Sequence, residues 1–207
     1  MCYVEMLLVD YGLTRVVLKN RHQIADDVWR SAQPAPHHIR WAADRGIKTI
    51  INLRGDQSFG TRWLEERACA HHGVKLVDLK LRSRSAPERE ELRAARQMIE
   101  TATFPILVHC KSGSDRAGLM SVLVLHLHHG IPITIAKEQL ALRFGHVRQA
   151  DTGVLDYVFD RYIADNETSP IAFWDWVETK YDAAEINRTF RAKGWANRLV
   201  NGVLRRE

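Results

Sequence analysis

Along the chain, short runs of consecutive apolar residues alternate with longer stretches in which apolar residues recur at helical spacing. That is the pattern of strands buried on both faces and of helices that cover them. It predicts a strand or strand pair over "QIADDVWRS" (23–31), then a helix over "PHHIRWAADRG" with Pro36 near its start and Gly46 at its end. A buried strand over 47–54, a helix over 61–73 with a threonine cap and a closing glycine, and a strand over 74–81 follow. In "SAPEREELRAARQMIETA", Ser85 and Glu88 have capping-box spacing, Pro87 lies in the first turn, and Leu92, Ala95, Met98 and Ile99 form one apolar face. "FPILVH" is a short apolar strand, and "RAGLMSVLVLHLHHG" a mostly buried helix ended by Gly130. "TIAKEQLALRFG" and "TGVLDYVFDRYIAD" predict two further amphipathic helices. The expected fold is α/β, a short, mostly parallel twisted sheet of about four or five strands flanked by helices, with extra C-terminal helices.

The pattern also suggests a division. Residues 1–22 read as an arm or helix, 23–165 as the core domain, and 166–207 as a helical extension packed on or near it. In the extension, Ser169 and Pro170 open a helix with Phe173, Trp174 and Val177 on one side, and "RAKGWANRLVNGVLRRE" is a basic amphipathic segment. That segment is a candidate for peripheral membrane contact.

The candidate chemistry sits in "VHCKSGSDRAG" (108–118), a tight polar loop between the apolar strand and the buried helix. A strand, a glycine-bearing loop and a helix start build an anion site from inward N–H groups and the helix dipole. Gly113 supplies conformational freedom, Arg116 a planar fork for two phosphate oxygens, and Cys110 the floor of the cup. A thiolate beneath a bound phosphoryl group is an in-line nucleophile, and the loop amides with Arg116 supply the charge stabilisation without a metal.

The stretch "HCKSGSDRAG" resembles the His-Cys-x5-Arg signature of cysteine-dependent protein tyrosine and dual-specificity phosphatases. The resemblance extends through "VWRSAQP", "GIKTIINLRGD" and "GVKLVDLKLRS", covers about residues 23–165, and is closest in style to compact atypical dual-specificity phosphatases of bacteria and to the plant and fungal inositol pyrophosphate branch. It implies a phosphatase that works through a phosphocysteine, with Cys110 as nucleophile and Arg116 as phosphate clamp. It further implies that Lys111, Ser112, Gly113 and Ser114 form the cradle and that His109 orients the loop. Many members carry Ser or Thr after the arginine; here it is Ala117, for which Ser112 or Ser114 are the candidate substitutes.

Two aspartates compete as the general acid. Asp78 lies 32 residues before Cys110, as in dual-specificity phosphatases, but inside a strand pattern; Asp115 directly precedes Arg116, as in inositide-directed relatives such as the myotubularins. Substrate breadth is equally open. Phosphotyrosine or dual-specificity substrates come first, while Lys111, Arg82 and Arg84 favour inositol phosphates or phospholipid head groups; a phosphate-binding module without turnover is the remaining alternative. Arg30, Arg54 and the 143–149 stretch "RFGHVRQ" are further candidates for the rim, with Arg30 as a brace for the loop carbonyls.

Composition adds little beyond this. The 207 residues, 45% hydrophobic and 27% charged, describe an ordinary globular chain, and the net charge of +5 favours anionic partners without separating nucleic acid from lipid or phosphorylated small molecules. The loop chemistry selects a phosphorylated substrate, so no nucleic-acid partner is expected. Three cysteines make no disulfide framework, the opening stretch has no basic n-region, and no apolar run is long enough to span a bilayer, which together point to the cytoplasm. The ten histidines cluster at predicted helix ends without matching cysteine or carboxylate spacing, so neither a metal nor another cofactor is expected.

Overall fold

The computed structural model describes residues 19–55 and 60–192. The first predicted strand is a pair: β1 (His22–Ala25) turns back antiparallel into β2 (Val28–Ala32). β3 (Thr49–Asn52), β4 (Lys75–Asp78) and β5 (Ile106–Cys110) run parallel to β2. The strand order is β1-β2-β5-β3-β4, which puts β5 in the middle with partners on both sides. A strand in that position must be apolar on both faces, and the period-two alternation divides it cleanly. Ile50 and Leu107 join Ile39 and Ala42 of α1 (Pro36–Asp44) and Cys69 of α2 (Gly60–His72) on one face. Ile51, Ile106 and Val108 pack on the other face against α3 (Arg89–Thr101) and α4 (Asp115–Leu127). All parallel strands point their C-terminal ends to one edge of the sheet, where β2 and β5 finish level at Ala32 and Cys110.

Four boundaries differ from expectation. α3 begins after Glu88, because the Glu91 carboxylate accepts the Glu88 N–H (2.7 Å) while the Ala86 N–H goes to Asn187 Oδ1 (2.8 Å) and the Pro87 carbonyl to the Tyr181 hydroxyl. The box is therefore Glu88 with Glu91 and not Ser85 with Glu88. Thr61 lies within α2 and does not cap it. The predicted helix "TIAKEQLALRFG" is broken into α5 (Ile133–Ala136) and two 3-10 turns, Lys137–Gln139 and Leu142–Phe144. The Gln139 carbonyl is drawn to the Arg30 guanidinium (2.6 Å), and Leu140 seats against Gly118, where a Cβ would stand 2.7 Å from Leu140 Cδ2.

α6 (Val154–Thr168) matches its prediction. α7 (Phe173–Thr179) starts after Ala172 and not at Ser169, since the Ile171 N–H is taken by Asn166 Oδ1 (2.8 Å). Trp176, not Trp174, is its most buried tryptophan, and its indole N–H donates to Asp165 (2.7 Å). Phe173, Trp176 and Val177 share the core cluster of α3 and α4, and Arg93 pairs with Glu178 across the contact. The N-terminal arm, apart from 19–22, and the basic end of the C-terminal segment lie outside the described residues. Among the described residues, no helix is long and apolar enough to cross a membrane.

Candidate active site

β5 delivers His109 and Cys110 to the C-terminal edge of the sheet, and α4 begins at Asp115, so residues 111–114 must turn within four positions. Gly113 makes this turn at φ +77°, and its backbone lies so close to the end of β2 that a Cβ would stand 2.5 Å from the Ala32 nitrogen. Only glycine fits both demands.

Every carbonyl of the turn is held from outside. The Lys111 carbonyl accepts the Gln33 N–H (3.4 Å), and the Ser112 carbonyl accepts the Asn20 amide (2.9 Å). Those of Gly113 and Ser114 accept two bonds from Arg30 Nη2 (2.7 and 2.9 Å). Peptide planes fixed this way turn their N–H groups to the concave side, over Cys110 and along the start of α4. Arg30 is thus the brace anticipated from sequence. It is fully buried beneath the Phe144 ring; burial lowers its pKa to about 10, against the opposing fields of Cys110 and Asp115, and it remains a cation at neutral pH. Arg116 makes one long hydrogen bond, to the Leu53 carbonyl (3.4 Å).

His109 is fully buried, with Nε2 2.7 Å from Glu65 Oε1 and Nδ1 3.4 Å from the Cys110 carbonyl oxygen. Glu65 in turn accepts the Gln33 amide (2.9 Å), and Gln33 accepts from Arg54. The loop's histidine thus lies against a buried carboxylate that sequence reasoning did not single out, in a close polar contact without hydrogen-bond alignment. The available signal was the stripe Thr61, Glu65, Cys69 at every fourth position of α2, all buried.

The two aspartates have different surroundings. Asp78 ends β4, two strands away from β5 and hence about 10 Å across the sheet. Its carboxylate is engaged by Arg62 (2.7 Å) and by the Asn52 amide (2.7 Å). Asp115 opens α4 at the rim of the cup and neither pairs with Arg116 nor caps the helix; one oxygen meets His146 Nδ1 at 2.7 Å. The other imidazole nitrogen meets Asp156 at 2.5 Å. Burial alone would lower the His146 pKa, but the hydrogen bonds and charges of the two carboxylates outweigh it and raise the imidazole to about 9. Sequence reasoning named the segment 143–149 as a wall but missed His146 within it.

Arg82 is given to α3, where it pairs with Glu88 (2.9 Å) and Glu91 (3.6 Å), and Arg84 is exposed. Ala117 is sealed in the core. Cys69 lies on the opposite face of the sheet from Cys110, and burial pushes its thiol up to about 12. A pocket of about 270 Å³, including its open mouth, lies behind the loop on the α1 face between Lys19, Arg21, Gln33, His38 and Trp41. The histidines at 128 and 129 do meet a carboxylate, contrary to the sequence spacing: Asp27, in the β1–β2 turn, lies 3.0 and 2.9 Å from their Nε2 atoms, at the opposite end of β2 from the cup.

Comparison with known proteins agrees with this geometry. The family described as "DSP-PTPase phosphatase fused to NAD+ kinase" matches residues 14–140, more than half of the chain. The chain belongs to this phosphatase family. Among relatives of the family in plants, it is 25% identical over 112 residues to the inositol diphosphatase DSP2 of Oryza sativa, covering 53% of this chain and 55% of that protein. It is 27% identical over 96 residues to the chloroplastic NAD kinase 2 of Arabidopsis thaliana, covering 44% of this chain and 10% of that protein. The chain thus spans about half the length of the first relative and a tenth of the second. Solved structures share the fold: TpbA of P. aeruginosa (TM-score 0.53, 17% identity, 83% of this chain and 90% of that one) and a DUF442 phosphatase of Shewanella putrefaciens (TM-score 0.54, 17% identity, 74% and 97%).

Proposed function

We propose that this chain is a cysteine-dependent phosphomonoester hydrolase, with residues 23–165 as its phosphatase unit. The observation that carries the reading is the anchoring of all four carbonyls from Lys111 to Ser114 by outside donors, which leaves the N–H groups of the same peptides, those of residues 112–115, to a phosphate above Cys110. The Cys110 thiolate attacks phosphorus, the bond to the leaving oxygen breaks, and that oxygen takes a proton from Asp115. Arg116 and the loop N–H groups hold the equatorial oxygens throughout. Water then attacks the phosphocysteine, Asp115 receives the water's proton, and inorganic phosphate and the thiolate leave. Asp115 takes this role over Asp78 because it borders the cup, whereas Asp78 is committed to Arg62 and Asn52. A chemistry that needs a free thiol suits a reducing cytoplasm.

Phosphotyrosine and dual-specificity substrates fit the cup as single phosphoryl groups. A second reading, inositol phosphates or phosphoinositide head groups, is favoured by a second cation close to Arg30, since Arg143 lies within its field. The names of two relatives agree with it, the rice inositol diphosphatase and the fold neighbour PTPMT1, solved with PI(5)P. The test is p-nitrophenyl phosphate hydrolysis in the presence of chelator. Cys110→Ser should abolish turnover by about 10³-fold or more, and acid quenching of the parent protein should trap a phosphocysteine. Turnover that survives Cys110→Ser sinks the proposal. Comparison of kcat/KM over phosphotyrosine peptides, inositol phosphates and phosphoinositides then decides between the readings.

A further inference from the structure

Asp115 is not held as an isolated rim carboxylate. One of its oxygens meets His146 Nδ1, and His146 Nε2 meets Asp156 of α6, so a line of three side chains runs from the rim into the core. The Asp115 side chain is 22% exposed, whereas those of His146 and Asp156 are buried at 0% and 3%. The segment that carries His146 is clamped to the loop at further points. Asn20 bridges the carbonyls of Ser112 and Phe144 (2.9 Å each), and Gly145, at φ +77°, lies against the Ser114 hydroxyl.

We propose that His146 is the positioning residue for Asp115: anchored on Asp156, it fixes one carboxylate oxygen and presents the other to the leaving group and to the hydrolytic water. This rests on the phosphatase reading above. The charged groups around the line are Arg30 from β2, whose field reaches Asp115 and also Cys110 at the end of β5, and Asp156 from α6; Arg143, on the histidine's own segment, acts on Arg30. Lys137 and Arg148 are taken up by Asp160. With two carboxylates and one imidazole, the line favours the imidazolium, so ionised Asp115 has a hydrogen-bond donor at Oδ1 and Oδ2 is the oxygen left to exchange protons.

The experiment separates the proton-handling step from the attack by leaving group. Phenyl phosphate needs its leaving oxygen protonated, whereas p-nitrophenyl phosphate hardly does. His146→Ala should lower kcat/KM, which reports phosphocysteine formation alone, on phenyl phosphate by about 30-fold or more and on p-nitrophenyl phosphate by less than about threefold. The rate of Cys110 alkylation by iodoacetamide should also stay unchanged. His146→Asn, which keeps a donor toward Asp115, should restore most of the phenyl phosphate rate, and Asp115→Asn combined with His146→Ala should be no slower than Asp115→Asn alone. Equal losses on the two esters, or losses that multiply in the double variant, overturn the proposal. Should His146→Ala not fold, Asp156→Asn carries the test: it should give a smaller loss confined to phenyl phosphate, and a loss equal on both esters overturns the proposal. Activity in Cys110→Ser would instead overturn the phosphatase reading itself, which keeps the two failures distinct.

Discussion

Two buried polar chains flank the loop that carries Cys110, one on each face of the sheet, and they are built to different ends. On the α2 side, His109, Glu65, Gln33 and Arg54 follow one another, a single carboxylate between an imidazole and an amide, ending on a buried cation. On the α4 side, Asp115, His146 and Asp156 place one imidazole between two carboxylates, ending on a buried anion. The first chain grips the base of the loop through a residue whose side chain is sealed from solvent. The second grips a side chain that borders the cup and remains partly exposed. Buried ionic groups of similar appearance can thus serve stability in one place and rate in another. The distinction is whether the chain ends on a residue that can meet substrate.

The comparison breaks most visibly at its two ends. Asp115→Asn should lower kcat on phenyl phosphate by about 10²–10³-fold, while unfolding free energy changes by less than about 1 kcal/mol because the amide oxygen still accepts from His146. Leaving-group kinetics and urea denaturation check both halves. Glu65→Leu should do the reverse. It strands His109 and the Gln33 amide without their carboxylate, which costs about 2–4 kcal/mol of stability, seen as a lower urea midpoint. The rate per folded molecule should fall by less than about tenfold. If Glu65→Leu slows turnover more than Asp115→Asn does, the two chains are not divided as argued.

This division also explains what could be read from the chain alone. The strand, loop and helix around Cys110 are local, and the unbroken buried run of β5, Gly113 and the onset of α4 all declare themselves within 106–127. Arg30 was legible as a brace because the pattern placed it near the end of an expected strand, at the edge where the loop carbonyls lie. His146 was not, because its segment carries apolar residues at near-helical spacing. The break comes from tertiary events, the Arg30 bond to Gln139 and the Leu140 contact with Gly118, that no local pattern records. Asp156 was hidden for a related reason: α6 is buried almost all round from Val154 to Phe159, so a polar residue beside the apolar stripe reads as solvent-facing when it is not. Arg82 misled in the opposite direction, since its pairing with α3 depends on that helix starting at Arg89.

A pH titration sharpens the contrast between the faces. His146 has its pKa raised from 6.5 to about 9, so its contribution to stability is fully present below about pH 6.5 and is lost as the pH rises through 9. His38, in α1 on the other face, has its pKa lowered to about 4 by burial, reinforced by the charges of His37, Lys19 and Arg21. Its contribution is present above 6.5 and is lost as the pH falls toward 4. Each slope is at most about 1.4 kcal/mol per pH unit. Urea midpoints across pH 4 to 10 should therefore form a dome whose alkaline limb flattens in His146→Gln and whose acid limb flattens in His38→Gln. Exchange of the two effects would contradict the assignment of charge to each face.

The smallest expected effect concerns the one position where the α4 side lacks a polar group that the rest of its family resemblance would supply. Ala117 follows Arg116 and is fully buried, one turn into the helix behind the nucleophile. No side-chain hydroxyl at that position can donate to the sulfur as the phosphocysteine breaks, so breakdown should be slower than formation. Rapid mixing with p-nitrophenyl phosphate should then show a burst of nitrophenol close to one per enzyme before the steady state. Ala117→Ser adds a single oxygen, at a packing cost of about 1 kcal/mol, and should raise the steady-state rate by about two- to fivefold while leaving the burst rate alone. A burst-free parent, with Ala117→Ser inert, would mean that Ser114 or the helix N–H groups already support the departing thiolate. The α4 side would then be complete as it stands.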